Sequence, residues 1–317
     1  MTVDQLKVEV GGVKLDNPVM LASGVQGPSL ARVLETLKLG AGAAVTKSVG
    51  LAPRDGYPDP TIAYCDSGLV NAAGLPNPGA ERFSEELARI KGKALPVFVS
   101  LYGSTAEEFA KLVEMLDHND FAAYELNLSC HHVENVGVEV GSDPELVGHI
   151  TKSARSRTTK PIFVKLSPNV ERLVEVARAA ADAGANGVTA INTAKALLID
   201  LQTGKPSLSH RFGGLSGGAL RPIALRCVFE LSEKIDLPII GCGGISTWEH
   251  AVQFLLAGAS AVQVGTATLE KLALFNEINL GIISYLESKG YRNLKDMVGA
   301  AHTAGTSPGA VVAGAGV

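Results

Sequence analysis

The sequence predicts an α/β protein that folds as a single (β/α)8 TIM barrel with an N-terminal β-hairpin. Two observations predict this fold. Short apolar runs rich in Val and Ala alternate with longer amphipathic runs along most of the chain, and there are eight such pairs. Apolar runs of this kind are typical of parallel strands that are buried on both faces. An open, doubly wound sheet shows the same local pattern and is the alternative, but the count of eight and the lack of an evident second domain favour the barrel.

The predicted elements follow in order from the N-terminus. Residues 6–10 and 13–15 flank Gly11-Gly12 and predict a hairpin ahead of the first barrel unit. The eight predicted strands span residues 19–21, 43–46, 97–100, 124–128, 162–165, 187–191, 239–241 and 261–264. The predicted helices span residues 29–37, 80–90, 105–116, 144–156, 170–183, 221–234, 247–257 and 269–289. We expect residues 1–303 to form the barrel domain and the Gly/Ala-rich residues 304–317 to form a C-terminal tail.

Composition excludes several classes of protein. Hydrophobic residues make up 46% of the chain and the formal net charge is −4, which argues against disorder and against electrostatic binding of nucleic acid. The four cysteines fit no metal-ligand spacing and are too few for a disulfide framework. No signal segment or membrane-spanning run is visible. We therefore expect a cytoplasmic protein with reduced thiols and no bound metal.

Glycine is over-represented, at 35 of 317 residues. Gly40, Gly184 and Gly258 each follow a predicted helix and are interpreted as helix ends. Gly40 and Gly42 therefore do not form a dinucleotide fingerprint, because that motif follows a strand. The remaining excess indicates tight turns or places where the backbone approaches a ligand closely.

The chemistry is expected at the carboxyl ends of the strands, where barrel enzymes place their active sites. A lysine at a strand end is most often a solvated surface charge, but Lys47 and Lys165 follow apolar runs and are hard to place there without an anion or a ligand. Cys130 lies in a polar loop segment, where a thiol can act in acid–base or covalent chemistry. The other cysteines, Cys65, Cys227 and Cys242, are interpreted as inert filler.

Two glycine-containing turns predict a phosphate site. Gly243-Gly244 follows the seventh predicted strand and Gly265-Thr266 follows the eighth, and each turn precedes a helix. In (β/α)8 barrels these loops commonly bind phosphate through backbone N–H groups and a helix N-terminus. The pattern predicts a phosphorylated cofactor or substrate without identifying it.

Several motifs follow one another in a specific order along most of the chain. The first are NPVMLASG at 17–24, VTKS at 45–48, NAAGLPNP at 71–78, ELNLSC at 125–130 and VKLSPN at 164–169. Further on come INT at 191–193, GGLSG at 213–217, RPIAL at 221–225, GGI at 243–245 and LAGASAVQVGT at 256–266. This combination resembles the class 1 dihydroorotate dehydrogenases, flavin-dependent barrel enzymes of pyrimidine synthesis. The form of segment 71–79, together with Ile199-Asp200, is most similar to the NAD-linked subclass, class 1B.

The resemblance implies oxidation of (S)-dihydroorotate to orotate, with hydride transfer to FMN and Cys130 as the base that removes the C5 proton. The residues implied to bind FMN are Ala22, Ser23, Lys47, Ser48, Asn127, Lys165, Ile191, Gly217, Gly243, Gly244, Gly265 and Thr266. Those implied to hold the pyrimidine are Lys47, Asn71, Gly74, Leu75, Asn127, His132, Asn192 and Thr193. Lys165 would bring positive charge to the flavin edge where negative charge develops on reduction.

One departure from the family pattern concerns the residues after Cys130. The family usually continues with Pro-Asn, whereas His131 and His132 occupy these positions here. His132 either supplies the hydrogen bond of the missing asparagine or changes the choice of substrate. Because dihydropyrimidine dehydrogenases also carry a histidine after Ser-Cys-Pro, a dihydrouracil or dihydrothymine substrate is one alternative. A flavin-free, phosphate-binding isomerase or aldolase barrel is another, although it does not explain Asn127, Cys130 and Asn192. A non-catalytic scaffold would leave the converging lysines unexplained.

The resemblance also bears on partners. The chain contains no iron–sulfur cysteine cluster and no strand-following Gly-x-Gly-x-x-Gly motif. Membership of the NAD-linked subclass would imply a homodimeric core joined by a subunit that carries FAD and an iron–sulfur cluster. A free-standing class 1A homodimer that uses fumarate is the competing case.

Overall fold

The computed structural model describes residues 3–26, 29–128 and 140–303. Its barrel strands are β3 (Val19–Leu21), β4 (Ala43–Val45), β7 (Val97–Leu101), β8 (Ala123–Asn127), β9 (Ile162–Leu166), β10 (Gly187–Ala190), β15 (Ile239–Cys242) and β16 (Ala261–Val264). The other strands are β1 (Val8–Val10), β2 (Val13–Leu15), β5 (Ile62–Cys65), β6 (Gly68–Asn71), β11 (Ala194–Ala196), β12 (Ile199–Asp200), β13 (Lys205–Pro206) and β14 (Gly213–Ser216). The helices are α1 (Leu30–Lys38), α2 (Ala80–Leu87), α3 (Ala106–Leu116), α4 (Pro144–Arg155), α5 (Leu173–Asp182), α6 (Arg221–Ser232), α7 (Trp248–Leu256), α8 (Ala267–Glu270), α9 (Leu274–Lys289) and α10 (Leu294–Met297).

Eight parallel strands close into a barrel in the order β3, β4, β7, β8, β9, β10, β15 and β16, with β16 pairing back to β3. The predicted barrel is confirmed, and the open sheet is not formed. Every residue of β7, β8 and β9 is buried, because side chains point alternately into the barrel and towards the surrounding helices. None of the described helices is long and apolar enough to cross a membrane.

The predicted hairpin is also confirmed, and it lies at the amino ends of the barrel strands. β1 and β2 pair in antiparallel fashion with Val10 opposite Val13. Their apolar side chains form a buried cluster with residues near the amino ends of the strands, among them Phe98, Phe163 and Ile240. The amino end of the barrel interior is therefore filled by hydrophobic side chains.

A four-stranded antiparallel sheet, in the order β11-β14-β6-β5, lies outside the barrel and was not predicted. Its strands belong to two connections, one that runs from β4 to α2 and one that runs from β10 to α6. Both connections leave the carboxyl ends of barrel strands, so the sheet is positioned at that end of the barrel. The composition conceals these strands, since segments such as GLVN and GGLS contain the glycines that normally mark turns.

Two predicted helices need correction. The helix predicted at 269–289 is two helices, α8 and α9, because Lys271 adopts an extended conformation between them. The helix predicted from residue 170 begins only at Leu173. The preceding segment is held as a loop by Asn169, whose Oδ1 accepts a hydrogen bond from the Lys195 backbone N–H at 2.9 Å.

Candidate active site

A cavity of about 700 Å³ opens at the carboxyl ends of the barrel strands, beneath the four-stranded sheet. It brings together every predicted site residue within the described ranges. These are Ala22, Ser23, Lys47, Ser48, Asn71, Gly74, Leu75, Asn127, Lys165, Ile191, Asn192, Thr193, Gly217, Gly243, Gly244, Gly265 and Thr266. Cys130, the predicted base, and His132 lie outside the described residues, as does His131. Their predicted roles remain predictions.

A chain of polar side chains crosses the floor of the cavity. Asn127 Nδ2 donates to Ser48 Oγ at 3.0 Å, and the Ser48 and Ser100 hydroxyls are 2.9 Å apart. On its other side, Asn127 Oδ1 accepts from Asn192 Nδ2 at 3.3 Å. These residues come from the ends of four different strands, so the barrel itself fixes the orientation of the two amides. Such a surface suits a planar ligand that has several hydrogen-bonding edges.

Lys165 is the charged group at the base of the cavity. It lies within β9 and its side chain is almost completely buried. Its Nζ lies 3.5 Å from Glu125 Oε1 and donates to Gln263 Oε1 at 3.1 Å. Burial disfavours the ammonium form, but the neighbouring Glu125 carboxylate outweighs this effect, so the pKa of Lys165 lies above its ordinary value. Lys165 is therefore held in its ammonium form at the base of the cavity, paired with the Glu125 carboxylate.

Glycines shape one wall of the cavity. Gly217 has φ +94°, and a Cβ built on it would lie 2.6 Å from the Cα of Gly68. Gly244 has φ +70°, and its Cβ would lie 2.6 Å from the carbonyl oxygen of Gly217. Nearby, Thr266 Oγ1 donates to Ser216 Oγ at 2.8 Å. Since no larger residue fits at these glycines, the backbone of three loops comes together here, which is the arrangement that phosphate groups require.

The loop after β6 forms the wall beside the polar floor. Gly74 and Leu75 both have positive φ, at 73° and 57°. Asn77 fixes the loop, because its Nδ2 donates to the Leu75 carbonyl and to the Tyr102 hydroxyl, at 2.9 Å in each case. Asn71 at the end of β6 donates to the Gly214 carbonyl at 3.3 Å. The start of the loop is thus held to the neighbouring strand β14.

Lys47 is the second lysine of the cavity. It follows β4 and is half-buried, and its Nζ donates a hydrogen bond to the Gly24 carbonyl at 3.4 Å. Together with Lys165 and Lys195 it gives the cavity three lysines from different parts of the barrel. Among the described residues Glu125 is the fully buried carboxylate, and it is paired with Lys165. A cavity with several lysines is suited to ligands that carry negative charge.

Sequence reasoning missed the residues beneath Lys165. Glu125 and Gln263 are fully buried polar residues in otherwise apolar strands. The signal was present in the alternation of Glu125 and Asn127, two positions apart, which places both side chains on one face of the strand. Among the cysteines, Cys227 and Cys242 are buried as expected, whereas Cys65 is half-buried on β5 and lines the cavity, so its interpretation as core filler was wrong. In the part of the chain that the structure describes, no three His, Cys, Asp or Glu side chains are grouped to hold a metal ion.

Comparison with known proteins places these features in a family. The family model described as dihydroorotate dehydrogenase matches residues 5–286. The chain is 48% identical over 297 residues to the protein named dihydroorotate dehydrogenase B (NAD(+)), catalytic subunit, from Pyrococcus furiosus, covering 93% of this chain and 98% of that protein. Proteins of the same name from Pyrococcus abyssi and Methanocella arvoryzae are 49% and 43% identical, covering 93% and 94% of this chain and 99% and 98% of theirs. The chain belongs to the dihydroorotate dehydrogenase family.

Proposed function

We propose that the protein oxidises (S)-dihydroorotate to orotate in pyrimidine biosynthesis, with FMN bound across the carboxyl end of the barrel. The family depends on flavin in general. The observation that carries the proposal is the convergence, in one cavity, of the glycine wall with the buried Lys165 and the polar floor. A cavity of about 700 Å³ is large enough for a flavin mononucleotide together with a small pyrimidine.

The FMN phosphate is assigned to the glycine wall. Backbone N–H groups would come from Gly217, Gly243, Gly244, Gly265 and Thr266, and the lack of a Cβ at the glycines lets the anion come close. Ala22, Ser23, Ser48 and Ile191 line the rest of the flavin site. Lys165 would hold a positive charge at the flavin site, which would favour the reduced, more negative form of the cofactor. When bound, the flavin supplies the acceptor for the hydride that leaves C6 of the substrate.

The pyrimidine is assigned to the floor and to the loop after β6. Lys47 and Asn71 face the anionic carboxylate, and Asn127 and Asn192 hydrogen-bond the edges of the ring. Gly74, Leu75, Thr193 and His132 complete the predicted set. Cys130 removes the proton from C5 of the substrate and holds it on Sγ. This proton transfer and the hydride transfer from C6 together leave the C5–C6 double bond of orotate.

For the electrons, we assign NAD+ as the final acceptor, reached through a partner subunit that carries FAD and an iron–sulfur cluster, on a homodimer of this chain. The name of the relatives, catalytic subunit of an NAD(+) enzyme, supports this assignment. Co-expression with a candidate partner should yield a complex with NAD+-dependent activity. Fumarate reduction by the isolated chain at a comparable rate would contradict it.

The function is tested by assaying the purified chain with dihydroorotate and an artificial electron acceptor. Orotate should form in proportion to the acceptor reduced, and the flavin released on denaturation should have the mass of FMN. A matched assay with dihydrouracil separates the dihydropyrimidine dehydrogenase alternative, since the carboxylate is the only group that the second substrate lacks. Faster turnover of dihydrouracil, or protein that never binds flavin, would contradict the proposal.

A further inference from the structure

A complete ionic cluster lies inside the barrel, one layer below the cavity. Glu125 on β8 is fully buried, and Thr189 on β10 and Gln263 on β16 are buried with it. A buried carboxylate is costly unless it is paired with a charge and its oxygens are hydrogen-bonded. The described residues satisfy both conditions, because Lys165 pairs with the carboxylate and Gln263 and Thr189 donate hydrogen bonds to it.

The hydrogen bonds of the cluster form a closed ring. Lys165 Nζ donates to Gln263 Oε1 at 3.1 Å, and Gln263 Nε2 donates to Glu125 Oε2 at 2.8 Å. Glu125 Oε1 lies 3.5 Å from Lys165 Nζ and closes the ring. Thr189 Oγ1 donates to Glu125 Oε2 at 3.0 Å and fixes the carboxylate from a fourth strand. The ring engages two of the three donors of the Lys165 ammonium, and Lys165 also lines the cavity.

We infer that Glu125 is a positioning residue: through Gln263 and Thr189 it holds the ammonium of Lys165 charged and aimed at the cavity. The inference rests on the proposed function, because the ligand above Lys165 is taken to be the flavin. Glu125 does not line the cavity, so it would act on a bound ligand only through Lys165.

The surroundings of Lys165 explain why a carboxylate is needed there. Among the described residues, the titratable groups that act on it are Glu125 on the adjacent β8 and Cys242 on β15. Cys242 is buried and its thiol has a raised pKa, chiefly because burial disfavours the thiolate. It therefore supplies no negative charge under ordinary conditions. Without Glu125, the buried ammonium would lose its counter-charge, and buried lysines of that kind release their proton near neutral pH.

The test is the isosteric variant Glu125→Gln, read by the midpoint potential of the bound flavin measured from about pH 6 to about pH 9. In the wild-type protein Lys165 stays charged over this range and contributes no step. In E125Q the pKa of Lys165 falls into the range, so an additional step appears and the potential drops on its alkaline side. The double variant E125Q/K165M should lack the step, which assigns it to Lys165. Glu175→Gln, the same change at an exposed carboxylate, should match the wild-type profile.

A folded, yellow E125Q whose potential follows the same pH profile as the wild-type protein would overturn the inference. If E125Q does not fold, Gln263→Leu removes one acceptor of the Lys165 ammonium and one donor to the Glu125 carboxylate, so the pH at which Lys165 is half acetylated should fall below the wild-type value. An unchanged value in that variant would equally overturn the inference.

A second measurement is independent of the flavin. Competitive acetylation of Lys165, quantified by mass spectrometry against pH, should show a half-reaction pH that is lower in E125Q than in the wild-type apoprotein. If the wild-type protein binds no flavin, the proposed function fails while this measurement still decides whether Glu125 holds the charge on Lys165. Equal labelling curves for E125Q and the wild-type apoprotein would overturn the inference about Glu125 and leave the proposed function untouched.

Discussion

The two ends of the barrel interior are equally buried and chemically opposite. At the amino end, β8 and β9 contribute Ala123 and Phe163 to an apolar cluster closed by the hairpin. Two residues further along the same strands, Glu125 and Lys165 form an ion pair, and then Asn127 lines the cavity. The inner face of one strand thus passes from apolar to charged to hydrogen-bonding within five residues.

This difference shows that stabilisation of the fold and ligand binding are separated along the barrel axis. The amino end stabilises the fold by removing hydrophobic surface from water, while the carboxyl end keeps polar groups where a ligand can use them. Substitutions at the amino end should change the free energy of unfolding and leave binding intact. Substitutions at the carboxyl end should weaken binding and leave the free energy of unfolding unchanged. The exception is a substitution that breaks the ion pair between Glu125 and Lys165, which should change both.

The largest expected effect is on catalysis, from Cys130→Ala. Loss of the base should slow anaerobic flavin reduction by dihydroorotate by about 10²- to 10⁴-fold, because the C5 proton then has no acceptor in place. The melting temperature should stay near that of the wild-type protein. Stopped-flow absorbance measures the rate, and Cys227→Ala, on α6 and outside the cavity lining, is the control. A wild-type reduction rate in the Cys130 variant would show that the base is another group.

At the opposite end, Phe163→Ala should cost about 3–5 kcal/mol of unfolding free energy, because it opens a cavity in a fully buried cluster. Denaturant titration gives this value. The dissociation constant for orotate should not change in protein that remains folded. A large loss of orotate affinity in folded Phe163→Ala protein would show that stability and binding are not separated between the two ends.

Lys165→Met tests the junction between the two ends. It should slow flavin reduction by about 10²- to 10³-fold, since a preorganised charge is lost. It should also destabilise the fold, because Glu125 is left buried without a counter-charge. The double variant with Glu125→Gln should recover stability but not the rate. Recovery of both would mean that Lys165 matters only for folding. A double-mutant cycle with denaturant melts and stopped-flow rates separates these outcomes.

A smaller effect is expected from Gly217→Ala, which should weaken FMN binding by about 10-fold. The residue has φ +94° and its Cβ would meet the backbone of Gly68, and a side chain in such a conformation costs about 1–2 kcal/mol. FMN affinity of the apoprotein, measured by fluorescence quenching, checks this. Gly92→Ala has a similar φ of +75° but open space around it, so it controls for backbone strain without a clash. If Gly217→Ala and Gly92→Ala bind FMN with equal affinity, the assignment of Gly217 to the phosphate site is wrong.

The smallest effect should follow His132→Asn. If His132 replaces the family asparagine as a hydrogen-bonding group, KM for dihydroorotate and the pH profile of kcat/KM should stay within about threefold of the wild-type values, a difference under 1 kcal/mol. Loss of a titration near neutral pH in the variant would instead identify His132 as a second titrating group beside Cys130.

Much of the fold could be predicted from the sequence because the periodic pattern of each barrel unit is local. All eight barrel strands were found, with ends shifted by one residue at several positions, such as β7, which extends to Leu101. The sheet over the cavity was missed, since its glycine-rich strands depend on pairing between segments far apart, such as Gly214 with Asn71. The break at Lys271 was also missed. The helical spacing of apolar residues continues across it, although the backbone is extended at this residue.

The residues that line the candidate site were predicted from the sequence. The buried residues that hold them in place were not. The residues that face the cavity sit in motifs with a recognisable order, such as Asn127 and Lys165. Gln263 and Thr189 lie within apolar strands as single polar residues, and only the closed barrel shows that their side chains meet at Glu125. A single polar residue in a buried strand has no local signature that identifies its partner.

The central claim is that the carboxyl end of this barrel oxidises dihydroorotate at a bound flavin. The most direct measurement is anaerobic titration of the purified protein with dihydroorotate while the flavin absorption is recorded. We expect the absorption to bleach stoichiometrically, with orotate as the product and no bleaching by dihydrouracil at the same concentration. An unchanged flavin spectrum in the presence of excess dihydroorotate would contradict the account.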